Sequence, residues 1–205
     1  MSDLRLILAT ANPDKAAEIT AILGTVPGLE VVPRPAWVPG VDETGDTLED
    51  NARLKARSLV EATGVPAVAD DTGLEVEALG GAPGVYSSRF AGDHATYAQN
   101  VAKLLAELAR VGANAPEQRI ARFRSVAMVA YPDGTDVWAA GEVIGVITLE
   151  AMGHSGFGYD PVFAPEGYQG RTFAQVSAEE KHRISHRGRA FRALADLLGA
   201  RSGSH

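Results

Sequence analysis

An α/β fold built on a mixed sheet is what this sequence predicts, and three observations predict it. Apolar runs of strand length alternate with helical patterns from Leu4 to Val76, as in βαβ units. Two longer strand-like segments, 120–129 and 137–147, then flank a Pro-Asp-Gly turn, which marks an antiparallel pair. The helical stretches carry apolar residues at helical spacing and end at Gly or Pro signals.

The elements follow in order. Leu4–Thr10 reads as a first, central strand, since it is apolar on both faces. Asn12 is suited to cap the next helix and Pro13 to open it, with Ala16, Ala17, Ile19, Ile22 and Leu23 on helical spacing. Such a strand-to-helix turn offers free N–H groups and the positive end of a helix dipole to phosphate. Lys15 adds a full charge there, although an ordinary capped helix with an exposed lysine has the same local pattern. The Walker pattern is absent. Leu29–Val32 is a second strand, and Pro33, Pro35 and Pro39 enforce an irregular loop that ends in Asp42-Glu43-Thr44-Gly45. The next helix starts near Thr47, with Asp50 in capping-box position, and stops at Gly64-Val65-Pro66. It carries Lys55 one turn from Asn51 on its more polar face.

Ala67-Val68-Ala69 predicts a buried strand that ends in two adjacent carboxylates, Asp70 and Asp71, followed by a Thr72-Gly73 turn. Carboxylates at a strand end build metal or acid–base sites, or else form Asx-turn hydrogen bonds. Leu74–Glu77 alternates as a half-buried strand, and Gly80 to Gly84 form a tight loop. Asp93 is the expected N-cap of an amphipathic helix carrying Val101, Leu104, Leu105 and Leu108. The two long strands come next, then a glycine-rich loop from Gly153 to Pro161 containing Phe157 and Tyr159. Those rings either stack a flat heterocycle or pin the loop to the core. A last helix begins near Ser177, with Glu180 completing a capping box, breaks around Ile184–Gly188 and resumes. Lys181, His182, Arg183, His186, Arg187 and Arg189 make this a basic segment in an acidic chain.

The 205 residues suffice for a sizeable core, as one domain or two closely joined lobes, and are assigned here to a single domain over 1–200 with a frayed tail at 201–205. A net charge of −7 argues against nucleic acid as a partner. No apolar run reaches the roughly 20 residues of a membrane span, and Met1 to Arg5 show no secretory signal. The absence of cysteine excludes disulfides and thiolate metal sites and fits the cytoplasm.

Taken together, Thr10-Ala11-Asn12-Pro13-Asp14-Lys15, Glu43-Thr44-Gly45, Asp50-Asn51-Ala52 with Lys55, Ala69-Asp70-Asp71-Thr72-Gly73-Leu74, Gly80-Gly81-Ala82-Pro83-Gly84, Phe157-Gly158-Tyr159-Asp160-Pro161 and Ser185-His186-Arg187-Gly188 resemble the inosine triphosphate pyrophosphatase family, over nearly the whole chain. Two departures are small: Thr72 stands where many members have serine, and Ala11 where glycine is frequent. The resemblance implies two α/β lobes around an elongated mixed sheet, with the active-site cleft between them, assembled as a homodimer. It implies Mg2+-dependent hydrolysis of ITP, dITP and XTP to the monophosphate and pyrophosphate, clearing deaminated purines from the nucleotide pool. Glu43 and Asp71 then look like metal-associated carboxylates, Asp71 also like the general base, and Asp70 their support. Thr10, Asn12, Lys15, Lys55 and Lys181 would hold the triphosphate, and Thr72 would also bind substrate. Phe157, Gly158, Tyr159 and Asp160 would cover the base, and His186 and Arg187 would donate to its 6-oxo edge. A non-catalytic nucleotide-binding or sensor protein on the same scaffold would keep the cations and could dispense with the acids. A pyrophosphatase for other modified nucleotides is a further alternative.

Overall fold

The computed structural model describes residues 4–10 and 12–202; the expectations for Met1–Asp3, Ala11 and the tail beyond Ser202 lie outside the described residues. Its strands are β1 (Leu4–Leu8), β2 (Leu29–Val32), β3 (Ala67–Val76), β4 (Pro83–Gly84), β5 (Ile120–Ala130), β6 (Asp136–Ile147) and β7 (Phe163–Pro165). The helices are α1 (Pro13–Leu23), α2 (Leu48–Thr63), α3 (Tyr97–Arg110), α4 (Ala178–Ile184) and α5 (His186–Ser202). The strands run in the order β2-β1-β3-β5-β6-β7, with β4 paired to β3. β1 is parallel to β2 and β3, whereas β4 and β7 pair antiparallel, so the predicted mixed α/β sheet is present.

The chain divides into two compact units. One comprises residues 1–71, 125–141 and 186–205; the other comprises 72–124 and 142–185. In the first unit the sheet is covered on both faces, which is why β1 reads as a continuous apolar run. Leu6, Leu8 and Val68 pack with Ile19 and Leu23 of α1 and Phe191 and Leu194 of α5. Ile7, Ala67 and Ala69 point the other way, onto Ala56, Leu59 and Val60 of α2. In the second unit Leu74 and Val76 share a core with Val101, Leu104 and Leu108 of α3 and with Phe123, Phe163 and Phe173. Leu105, expected on the same helical face, is partly buried against that core.

Capping chemistry decides most helix ends. The Thr47 side chain accepts from the Asp50 N–H, and Gly64, left-handed at φ 69°, closes α2. Ser177 and Glu180 bond reciprocally at the start of α4, and the extended Ser185 separates α4 from α5, as the sequence predicts. Two expectations are corrected. Thr96, not Asp93, caps α3, because Gln99 three residues on completes a reciprocal box that Asp93 has no partner to form. Thr72-Gly73 is not a turn: β3 runs unbroken through it, held on either side by β1 and β4.

Candidate active site

An unbroken β3 changes what the two acids do. Successive side chains of a strand leave from opposite faces, so Asp70 follows Val68 toward α1 and α5, and Asp71 follows Ala69 toward α2. They are therefore not a side-by-side pair at a strand end; each anchors its own cluster.

On the Asp70 face, the Thr10 Oγ1 accepts from the Asn12 N–H at 3.1 Å, and Asn12 Oδ1 accepts from the Lys15 N–H at 3.3 Å. That cap starts α1 and sets Lys15 in its first turn. Lys15 Nζ donates to Asp70 Oδ2 at 3.2 Å, and Arg187 Nε donates to the same oxygen at 3.1 Å. Arg187 Nη1 also donates to Glu18 at 3.3 Å, one turn along α1 from Lys15. Asp70 and Arg187 are only 4% and 3% exposed. Burial alone would push the Asp70 carboxyl up, but Lys15, Arg187 and Lys55 outweigh it and hold the group well below the usual carboxylate range. Burial pushes Lys15 down, and Asp70 only partly restores it against the repulsion of Arg187 and Lys55. Arg187 moves the other way: burial disfavours its charge, but Asp70 and Glu18 raise its pKa.

On the opposite face, Lys55 of α2 donates to Asp71 Oδ1 at 2.6 Å and to the Asp70 carbonyl at 3.2 Å, and pairs with Glu43 at 2.7 Å. Two carboxylates from distant parts of the chain thus converge on one cation. Asn51, one turn before Lys55, donates from Nδ2 to Asp71 Oδ2 at 3.3 Å and accepts the Gly45 N–H at 2.8 Å. It ties the Glu43 loop to β3. Gly45 must be glycine here, since a Cβ would sit 2.8 Å from Asn51 Oδ1 and 2.6 Å from Asp50 Cβ. Burial raises the Asp71 pKa; Lys55 opposes this, and the nearby Glu43 and Asp70 reinforce it, leaving the carboxyl above its ordinary value. Lys55 is also raised: its desolvation is outweighed by Asp71, Glu43 and Asp70.

The second unit holds the glycine-rich loop. Gly156 and Gly158 are left-handed at φ 77° and 64°, which bends the chain tightly around Phe157. Asp160 Oδ2 accepts the Phe157 N–H at 2.8 Å and pairs with Lys181 at 2.5 Å, so Asp160, 3% exposed, braces the loop from inside. Tyr159 is buried, and its hydroxyl donates to the Ser87 carbonyl at 2.9 Å. Of the two aromatics, Tyr159 pins the loop to the core and Phe157 stays half-buried. Lys181, expected among the phosphate-binding lysines, lies in this unit, 4.9 Å from the Phe157 ring centroid. Thr72 is half-buried in β3, and His186 is buried as the first residue of α5.

The sequence pattern of the Ham1 family matches residues 6–197. The chain belongs to the Ham1 family. It is 48% identical over 198 residues to the dITP/XTP pyrophosphatase of Streptomyces coelicolor, covering 95% of this chain and 96% of that protein. A relative of the same name from Rhodopseudomonas palustris is 42% identical over 201 residues, 94% of this chain and 95% of the relative. Among solved structures, a HAM1 protein from Coxiella burnetii superposes with a TM-score of 0.88 at 38% identity, covering 96% of this chain and 99% of that one. The nucleoside-triphosphatase / dITP/XTP pyrophosphatase of Mycobacterium abscessus gives 0.75 at 43% identity, covering 95% and 99%.

Two residues of these clusters receive no role from the sequence: Asn51, which enters only within its motif, and Glu18, which enters nowhere. Their signal was spacing: Asn51 lies four residues before Lys55, and Glu18 three after Lys15, so each shares a helical face with a site lysine.

Proposed function

We propose that this Ham1 chain hydrolyses dITP and XTP, together with ITP, to the nucleoside monophosphate and pyrophosphate, using Mg2+. Its enzyme class is that of its curated relatives, a nucleoside triphosphate pyrophosphatase and so a hydrolase. One observation carries the reading: Glu43 and Asp71 meet at a single cation, the Lys55 ammonium, at 2.7 and 2.6 Å, while Lys15 pairs with the adjacent Asp70 on the other face of β3. Carboxylate oxygens suit a hard divalent ion. Among the described residues, no three acidic or histidine side chains are arranged to hold a metal by themselves. The donor set therefore fits an ion that brings substrate phosphate oxygens and water as its remaining ligands.

A magnesium ion held by Glu43 and Asp71 would neutralise phosphate charge and orient the attacking water. Asp71 takes the proton as water attacks the α-phosphorus in line and pyrophosphate departs. Lys15 and Lys55 bind the triphosphate and stabilise charge on the departing pyrophosphate, with Thr10, Asn12 and Thr72 placing it. Asp70 fixes Lys15 and Arg187. Lys181 adds a cation, and Phe157 covers the base on a loop shaped by Gly158, Tyr159 and Asp160. His186 and Arg187 face the 6-oxo edge, where fixed donors reject adenine's amino group by roughly 10⁴-fold. A protein that only bound the nucleotide could dispense with Glu43, Asp70 and Asp71, and all three acids are present, so the non-catalytic reading is disfavoured. The biological role we propose is removal of deaminated purines in the cytoplasm, by a homodimer without a nucleic-acid partner. No described helix is long and apolar enough to cross a membrane.

Pyrophosphate release from dITP, XTP, ITP, GTP, ATP and dUTP, each with and without Mg2+, tests the reading. Release confined to the first three and dependent on Mg2+ is the expected result. Release from dUTP alone, or from none of the six, overturns it.

A further inference from the structure

Phe157 stands between two left-handed glycines, Gly156 and Gly158. Lys181 and Tyr97, from outside that glycine-rich loop, touch its ring. Lys181 Nζ lies 4.9 Å from its ring centroid and is itself held by Asp160. Tyr97 supplies the second contact, ring against ring, with centroids 6.1 Å apart and planes inclined at 39°.

Tyr97 is the first residue of α3, directly after Thr96, and the reciprocal Thr96–Gln99 bonds lock that helix start. A tyrosine at 52% exposure is ordinarily a solvated side chain. Here its ring has a defined partner, Phe157, on a separate loop. At 6.1 Å and 39° the two rings touch each other directly and form no parallel slot for a base. Tyr97 therefore acts through Phe157.

We propose that Tyr97 is a positioning residue for purine recognition, holding the Phe157 ring at the angle at which it meets the base. The proposal rests on Phe157 being the base-covering residue. Its logic is preorganisation: a ring already held loses less freedom when the base docks, so affinity rises with no new contact to substrate. The role proposed for Tyr97 concerns the base alone, so KM should carry the effect and kcat should not.

The test is kinetics with dITP on Tyr97→Ala, Tyr97→Phe, Phe157→Ala and the Tyr97→Ala/Phe157→Ala double variant, with inorganic triphosphate as a competitive inhibitor that has no base. Tyr97→Ala should raise KM about threefold to tenfold at unchanged kcat, the range expected for a lost aromatic pair. Tyr97→Phe, which keeps the ring, should restore KM. The double variant should be no worse than Phe157→Ala alone, and the inhibition constant of inorganic triphosphate should stay constant throughout. Additive effects in the double variant, failure of Tyr97→Phe to rescue, or a parallel change in triphosphate inhibition would overturn the proposal. If Phe157→Ala leaves KM at its wild-type value, the base-covering assignment itself falls. If Phe157→Ala raises KM and Tyr97→Ala does not, that assignment stands and the role of Tyr97 falls.

Discussion

Replacing Asp70 with alanine removes a carboxylate that Lys15 and Arg187 share inside the first unit, at 3.2 and 3.1 Å. Its side chain is 2% exposed and that of Arg187 3%, so solvent does little to soften the loss. Leaving a buried charge without its partner costs about 3–5 kcal/mol. Arg187 retains Glu18 at 3.3 Å, and the Lys15 side chain is 22% exposed, so the lower end of the range, about 3 kcal/mol, is expected. For a chain of this size that corresponds to a drop of about 6–12 °C in Tm. The assay is urea unfolding at neutral pH, where the midpoint should fall with the m-value unchanged. A pH series adds a second arm. The folded Asp70 pKa lies below the unfolded value of about 3.9, so its stabilisation is fully present above that pH and fades as pH falls toward the folded pKa. The gap between wild type and Asp70→Ala should therefore narrow below about pH 4. A loss under about 1 kcal/mol at pH 7, or a gap that does not narrow in acid, would refute the view of Asp70 as the anchor of two buried cations.

Asp71→Asn should abolish pyrophosphate release; its amide oxygen can keep the Lys55 bond while the NH2 replaces the oxygen that accepts from Asn51, so a stability loss of about 1–3 kcal/mol without loss of the fold is expected; near-normal turnover would remove Asp71 from the role of base. Lys15→Met should raise KM for dITP, and an unchanged KM would place Lys15 outside the substrate's reach. Lys55→Met removes the cation between Glu43 and Asp71, so added Mg2+ should raise its Tm by more than it raises that of wild type; equal shifts would separate Lys55 from the metal-binding carboxylates. Gly141→Ala would drive a Cβ into the His186 carbonyl and the Ala190 N–H at the start of α5, lowering stability by about 1–3 kcal/mol in thermal melts without changing substrate preference.

Local chemistry made much of the fold legible. Thr47, Gly64, Ser177 and Glu180 announce helix ends through bonds to residues three or four positions away, and such bonds depend little on the rest of the molecule. Thr72-Gly73 misled for the complementary reason. Its turn signal is local, whereas its extended conformation is imposed by pairing with β1 and β4 on either side. The same gap separates the site residues that could be named from those that could not. Lys15, Lys55 and Asp71 belong to recognisable motifs. The work of Glu18 depends on Arg187, 169 positions away, and no local pattern reports a partner at that distance.

The mutual arrangement of Glu43, Lys55, Asp70, Asp71, Lys15 and Arg187 has one more consequence. Every acid in this set already faces a counter-charge made by the same polypeptide, so the fold does not wait for an ion to close. A chelator should silence this protein and leave it standing, ready to resume when divalent ions return.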